Sequence, residues 1–210
     1  MNLTIICEDS ATKEILLRVI NFCSLSYEKL SQTELRGGKI KNNFQKYNLL
    51  AKNELIILLL DLDTADCPST LLKTLLQRNV KNENFLVNIA VDEAESWLIA
   101  DRENFSQYFE VPIEKIPFAE KNIFQKGIEM LFPYKSSLYI IREIIPHSKN
   151  KEFVRQLFPK NGAKKGPEYN KALTPFIQNI WDINNAMKNS ESLHGMIHRI
   201  EKWESKNTIL

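Results

Sequence analysis

Long apolar runs are absent from this sequence. None approaches the roughly 18 residues that cross a bilayer, so no membrane-spanning helix is expected. Charge of one sign is also scarce: 28 Lys and Arg face 26 Asp and Glu, a formal net charge of +2. Gross basicity therefore argues for no polyanion partner, although a local basic groove remains open. Cysteine occurs three times, as Cys7, Cys23 and Cys67. The odd count, the irregular spacing and the lack of a Cys-x-x-Cys pair argue against a disulfide framework and a cysteine zinc site. Reduced thiols in a cytoplasmic protein are expected. The opening residues MNLTIICEDS have no basic stretch and turn acidic at Glu8, unlike a secretory signal. No fixed-period repeat or low-complexity tract occurs.

What is present suits a globular domain. The 210 residues are 43% hydrophobic and 26% charged, enough for one core with a helical annex. LTIIC (3–7), ELIILLL (54–60) and NFLVNIAV (84–91) are continuous apolar runs that predict buried strands, and SYEKLS (26–31) a shorter one. Helical patterns lie between them. In 9–23, Ile15, Leu16, Val19 and Ile20 recur at helical spacing behind Asp9, Ser10 and Thr12 as N-cap candidates. Residues 34–53 open with a Gly-Gly break and turn helical through Phe44, Tyr47, Leu49 and Leu50. In 68–79, Pro68 stands near a helix start, with Leu71, Leu72, Leu75 and Leu76 on one face. Residues 92–109 read as one or two helices. Strands alternating with helical crossovers predict an α/β fold with a parallel sheet covered on both faces. After about residue 110 the pattern becomes helical and amphipathic, interrupted at Pro133, Pro146, Pro159, Pro167 and Pro175. The expected division is a sheet domain over 1–110 and a helical extension over 111–210 packed on it. The loop FPKNGAKKGPEYN (158–170) is the clearly basic, glycine-containing stretch.

Three predicted strands end in carboxylates: Glu8 and Asp9, then Asp61 and Asp63, then Asp92, Glu93 and Glu95. In a parallel sheet all carboxyl ends lie on one edge, where ligands bind. Converging carboxylates need compensation, and a hard divalent cation such as Mg²⁺ or Mn²⁺ supplies it. The plainer explanation is the helix dipole, which favours acids at helix N-termini by about 0.3–1 kcal/mol each. It accounts for Asp9, Asp92, Glu93 and Glu95 taken singly, and Asp101 reads as the N-cap of a following helix. Asp61 and Asp63 alternate in Asp-Leu-Asp, which puts both side chains on one side of a strand end.

A glutamate after the first strand, followed by Asp-x-Asp after a later apolar strand, resembles the signature of the TOPRIM fold of topoisomerases, primases and OLD-family nucleases. The block NIAVDEAESWLIADRENF is similar to that of small TOPRIM-like proteins carrying IAV-x-E-x-E-x-W-L-x-A-D after the Asp-x-Asp. KKGPEYNKAL and SESLHGMIHRI resemble that group's C-terminal half. The resemblance implies a Rossmann-like, mostly parallel sheet and a Mg²⁺-dependent (or Mn²⁺-dependent) nuclease site acting on DNA or RNA. Glu8 would be general acid/base or metal ligand, Asp61 and Asp63 would bind the metal, and Glu93 and Glu95 would ligate a second metal or orient water. Lys164 or Lys165 would stabilise developing negative charge. Also implied are an ABC- or SMC-like ATPase partner and a role in phage defence, with a non-catalytic subunit that regulates such an ATPase as the alternative. An oligomer is compatible with both. The usual Glu-Gly is here Glu8-Asp9, where the aspartate either tolerates a left-handed turn or adds a ligand.

Other features carry less. DLDTADC resembles the Asp-x-Asp-x-Thr motif of haloacid-dehalogenase-type phosphotransferases, but Ala65 stands where that threonine belongs. His194 and His198 have zinc-compatible spacing on a helix, yet HGMIH lacks the glutamate of His-Glu-x-x-His, so a surface or nucleic-acid contact is expected. Trp97, Trp181 and Trp203, read as helical, are expected in the core. Arg36, Lys39 and Lys41, with the loop 160–171, either hold phosphates or form a solvated surface.

Overall fold

The computed structural model describes residues 1–118, 128–160 and 162–207. Four strands, β1 (Leu3–Cys7), β2 (Leu30–Glu34), β3 (Leu55–Asp61) and β4 (Phe85–Ala90), form a parallel sheet in the order β2-β1-β3-β4. Leu3 stands opposite both Leu30 and Leu55, and Ile56 opposite Phe85. Leu55 to Leu60 are all buried, as is all of β4, which explains why these strands read as unbroken apolar runs. β2 is the polar edge strand LSQTE and begins four residues later than expected. With Leu30 as its sole aliphatic residue, it carries little hydrophobic signal to mark its limits.

The crossovers position everything else. The β1–β2 connection contains α1 (Ser10–Phe22), and the β2–β3 connection contains α2 (Gly37–Asn42) and α3 (Phe44–Leu50). The β3–β4 connection contains α4 (Pro68–Leu76). From β1 the chain moves toward one edge of the sheet, and from β3 toward the other. Right-handed connections then place α1 on one face and α4 on the opposite face. The core agrees: Ile6, Ile56, Leu58, Leu60, Phe85, Val87 and Ile89 cluster with Ile40, Phe44, Tyr47, Leu71 and Leu75 of α2, α3 and α4, and with Ala51 at the end of α3. α1 buries Ala11, Ile15, Leu16, Val19 and Ile20. The last helix, α11 (Glu191–Asn207), bonds to β4 through Arg199 Nε, which donates to Asn88 Oδ1 at 2.9 Å. Next to the strand, Trp203 Nε1 donates to Asn84 Oδ1 at 3.0 Å.

The chain forms two compact units: Met1–Val91 with His194–Leu210, and Asp92–Leu193. The division thus follows β4 directly, in contrast to the boundary at 110 expected from the sequence, and the residues from His194 onward belong with the sheet. The described part of the second unit is helical: α5 (Glu95–Ile99), α6 (Arg102–Tyr108), α7 (Ser136–Tyr139), α8 (Lys151–Leu157), α9 (Tyr169–Asn179) and α10 (Ile183–Asn189). α7 continues into a π-helical turn, Ile140–Ile144. Phe105, Phe109 and Phe176 stack at its centre, with ring centroids 4.5 to 5.7 Å apart. Pro175 lies inside α9, where it removes one hydrogen bond without ending the helix. Trp97, Trp181 and Trp203 are all buried, as expected, but Trp181 lies between α9 and α10. No helix among the described residues is long and apolar enough to cross a membrane.

Candidate functional site

In the first unit, the carboxyl ends of β1 and β3 mark the position where crossovers diverge to opposite faces. Such a switch point opens the crevice that α/β sheets use for ligands. Glu8 follows β1 directly and Asp61 is the last residue of β3, so two neighbouring parallel strands each deliver a carboxylate to this edge. Strand alternation sends Leu60 and Leu62 into the α2–α4 cluster and Asp61 to the opposite side.

Asp63 does not continue that alternation. Leu62 N still donates to Ala90 O at 2.9 Å, and then the chain turns, with Ala65 N donating to Leu62 O at 3.1 Å. Asp63 takes φ +53°, and its Oδ2 accepts from Lys41 Nζ at 3.1 Å. The expected pair of aligned aspartates is therefore one strand-end carboxylate and one turn carboxylate held by a lysine. Asp9 is extended (φ −153°), so no left-handed turn is needed after Glu8. Its Oδ1 caps α1, accepting from Thr12 N and Thr12 Oγ1, both at 2.9 Å.

The second unit organises the remaining acids. Asp92 (φ +67°) accepts from Ser136 N at 2.7 Å, and Glu93 Oε2 accepts from Ser137 N at 3.0 Å. Glu93 Oε1 holds Lys135 Nζ at 3.0 Å. Burial raises the Asp92 carboxyl above its usual range, against the Ser136 N–H. Burial also pulls Glu93 upward, but Ser137 and Lys135 outweigh it and hold that carboxyl low. Glu95 is buried at the start of α5, and its Oε1 pairs with Lys165 Nζ at 2.7 Å. The same ammonium lies 4.6 Å from the Tyr169 ring centroid. Of the two lysines left open by the sequence, Lys165 makes this contact, while Lys164 is exposed. Asp101 occupies the cap position of α6 but bonds elsewhere, accepting from Asp182 N at 2.8 Å and from the Asn104 amide. Burial raises its carboxyl.

Sequence reasoning missed Lys135 and Glu129. Glu129 is buried and accepts from Trp97 Nε1 (3.0 Å), Ser190 Oγ (2.7 Å), Ser192 N (3.3 Å) and the Ser192 hydroxyl. Trp181 Nε1 donates to the Trp97 carbonyl at 3.1 Å. The Ser-Ser pair at 136–137, a helix-start signal, was the available hint for the first; nothing in the spacing marks the second. Among the described residues, no group of three or more His, Cys, Asp or Glu side chains stands together as a metal site. His194 and His198 are exposed on α11.

Two local features carry predictions. A Cβ on Gly166 would lie 2.2 Å from Gln156 O and 2.5 Å from the Leu157 carbonyl carbon. Gly166→Ala is therefore expected to lower stability by about 2 kcal/mol or more in a denaturant melt. Gly162→Ala, with open space but φ +76°, costs only about 1 kcal/mol. Hydrogen bonds from the Ser69 and Thr70 hydroxyls lower the Cys67 thiol to about 7, whereas burial pushes Cys7 and Cys23 up to about 12. Near pH 7 Cys67 is therefore the thiol most readily ionised, while Cys7 and Cys23 stay protonated. Iodoacetamide labelling at that pH should fall on Cys67 and quicken as pH rises through about 7; mass mapping of the label checks it.

No curated protein and no solved structure matches the chain. Residues 6–135 match the family model of a domain of unknown function, DUF4276. That span contains Glu8, Asp61, Asp63, Glu93, Glu95 and Lys135, with Lys165 beyond it. As it covers more than half of the sequence, the chain belongs to the DUF4276 family.

Proposed function

We propose that the chain is a Mg²⁺-dependent, TOPRIM-type nuclease that cleaves phosphodiester bonds of DNA or RNA. One observation carries this reading: Glu8 and Asp61 leave adjacent parallel strands at the switch point of the sheet. Mg²⁺ commonly takes one or two carboxylates, keeps several waters and completes its shell with substrate phosphate oxygens. Two strand-end acids suit that demand without a cage of three. When bound, the ion stabilises charge on the phosphoryl oxygens. Asp61 holds it, and Glu8 holds it or moves a proton at the attacking or leaving oxygen. Glu93 and Glu95, bonded to Lys135 and Lys165, fix those cations within the second unit; they are not assigned as metal ligands. A cytoplasmic setting, an ATPase partner and a part in phage defence belong to the same reading and rest on the motif resemblance.

The lysines on Asp63, Glu93 and Glu95 favour a second reading, a subunit that binds and regulates a partner ATPase without cutting. Purified protein incubated with plasmid DNA or tRNA, in Mg²⁺ or Mn²⁺, separates the two. Cleavage that disappears in Asp61→Ala supports the nuclease. No cleavage of either substrate with either metal leaves the regulatory subunit.

A further inference from the structure

Positive charge is concentrated in one segment of the second unit. Between Lys149 and Lys171 stand seven lysines and arginines against Glu152 and Glu168, a net +5 in a chain whose total is +2. Arg155 is paired with Glu152 and Glu168, Lys171 with Glu168, and Lys165 with Glu95. Lys149, Lys151, Lys160 and Lys164 are exposed and, among the described residues, stand in no ion pair. The segment is built around a closed neck. Gly166 N donates to Leu157 O at 3.0 Å, and Glu168 N donates to Gln156 O at 3.3 Å. Phe158, Lys160 and Lys164 lie between those ends in the same short segment, and the Phe158 side chain is 43% exposed.

We propose that this segment is a binding surface for single-stranded nucleic acid. Lys160 and Lys164 take backbone phosphates, and Phe158 stacks on a base. Lysines alone would serve any polyanion. An exposed aromatic ring among them selects unpaired bases, whose faces a duplex hides. The inference rests on the reading of the substrate as nucleic acid, but binding is measurable apart from cleavage.

The test is fluorescence anisotropy with labelled single-stranded DNA, single-stranded RNA and duplex DNA oligonucleotides, in EDTA, over a salt series. Single strands of at least one kind are expected to bind more tightly than duplex. In the Lys160→Gln/Lys164→Gln double variant, the slope of log K against log salt should shrink by about 1.4, roughly 0.7 per lost phosphate contact. Phe158→Ala should weaken binding about tenfold or more at unchanged slope. Equal affinity for duplex, no binding, or variants that bind like wild type would overturn the proposal. Loop-dependent binding without cleavage in any metal sinks the nuclease and leaves this surface standing. Cleavage with unaltered binding by the loop variants does the reverse. All three substitutions fall on exposed side chains, so wild-type melting temperatures verify the fold.

Discussion

Asp61→Ala is expected to reduce metal-dependent cleavage by at least about 10²-fold while leaving the protein folded. Loss of a few kcal/mol of transition-state stabilisation from a metal ligand corresponds to that factor. The fold should survive because the sheet contact of Asp61 is made by its backbone, in register with Ala90, at the end of the strand. Asp61→Asn separates charge from shape: it keeps the side-chain volume and loses the negative charge, so it should be nearly as inactive. Asp63→Ala provides the contrast. Its carboxylate is paired with Lys41, both partly exposed, and such a pair contributes little to stability. Its activity should stay within a few-fold of wild type. Equal losses at 61 and 63 in a gel cleavage assay would mean that the two aspartates act as a pair after all.

The largest stability effect is expected at Glu129. Removing its carboxylate takes away the acceptor shared by Trp97 Nε1, the Ser190 and Ser192 hydroxyls and the Ser192 N–H, although Trp97 Nε1 keeps a second acceptor in Ser192 Oγ at 2.7 Å. An unsatisfied buried polar group costs about 1–3 kcal/mol, so Glu129→Ala should destabilise by about 3–5 kcal/mol after local relaxation. Glu129→Gln keeps one acceptor oxygen and should cost about half as much. Urea unfolding followed by tryptophan fluorescence reads both, since Trp97 is itself in the network. A change below about 1 kcal/mol in the alanine variant would show that the carboxylate is not what ties these residues together.

The parts of this molecule legible in the sequence are those decided by near neighbours. β3 and β4 are continuous apolar runs because both faces are covered. The cap made by Asp9 spans three residues, so local capping rules find it. β2 begins later than the sequence suggests because a polar edge strand has no hydrophobic pattern. The acids of the second unit were found by motif, but their partners were not. Lys135 and Lys165 come from 42 and 70 residues further along to meet Glu93 and Glu95. The carboxylates are legible in the sequence, while the lysines that neutralise them are visible only in the fold. The choice between Lys164 and Lys165 was likewise out of reach, because adjacent side chains diverge and one of them meets Glu95.

The closed neck at Gly166 has a consequence for how this protein can diversify. Two backbone bonds fasten the ends of the segment to the end of α8, and Gly166 is the position that lets the two chains touch. Apart from Lys165, which holds the buried Glu95, what lies between the ends bears little on the rest of the fold. Doubling the length of a loop whose ends are already fixed costs only about 0.6 kcal/mol in closure entropy. Residues 158–164 can thus be exchanged like a cassette, with Lys165, held by Glu95, and glycine at 166 as the fixed clasp, and a new binding preference can be introduced without touching the sheet that carries Glu8 and Asp61.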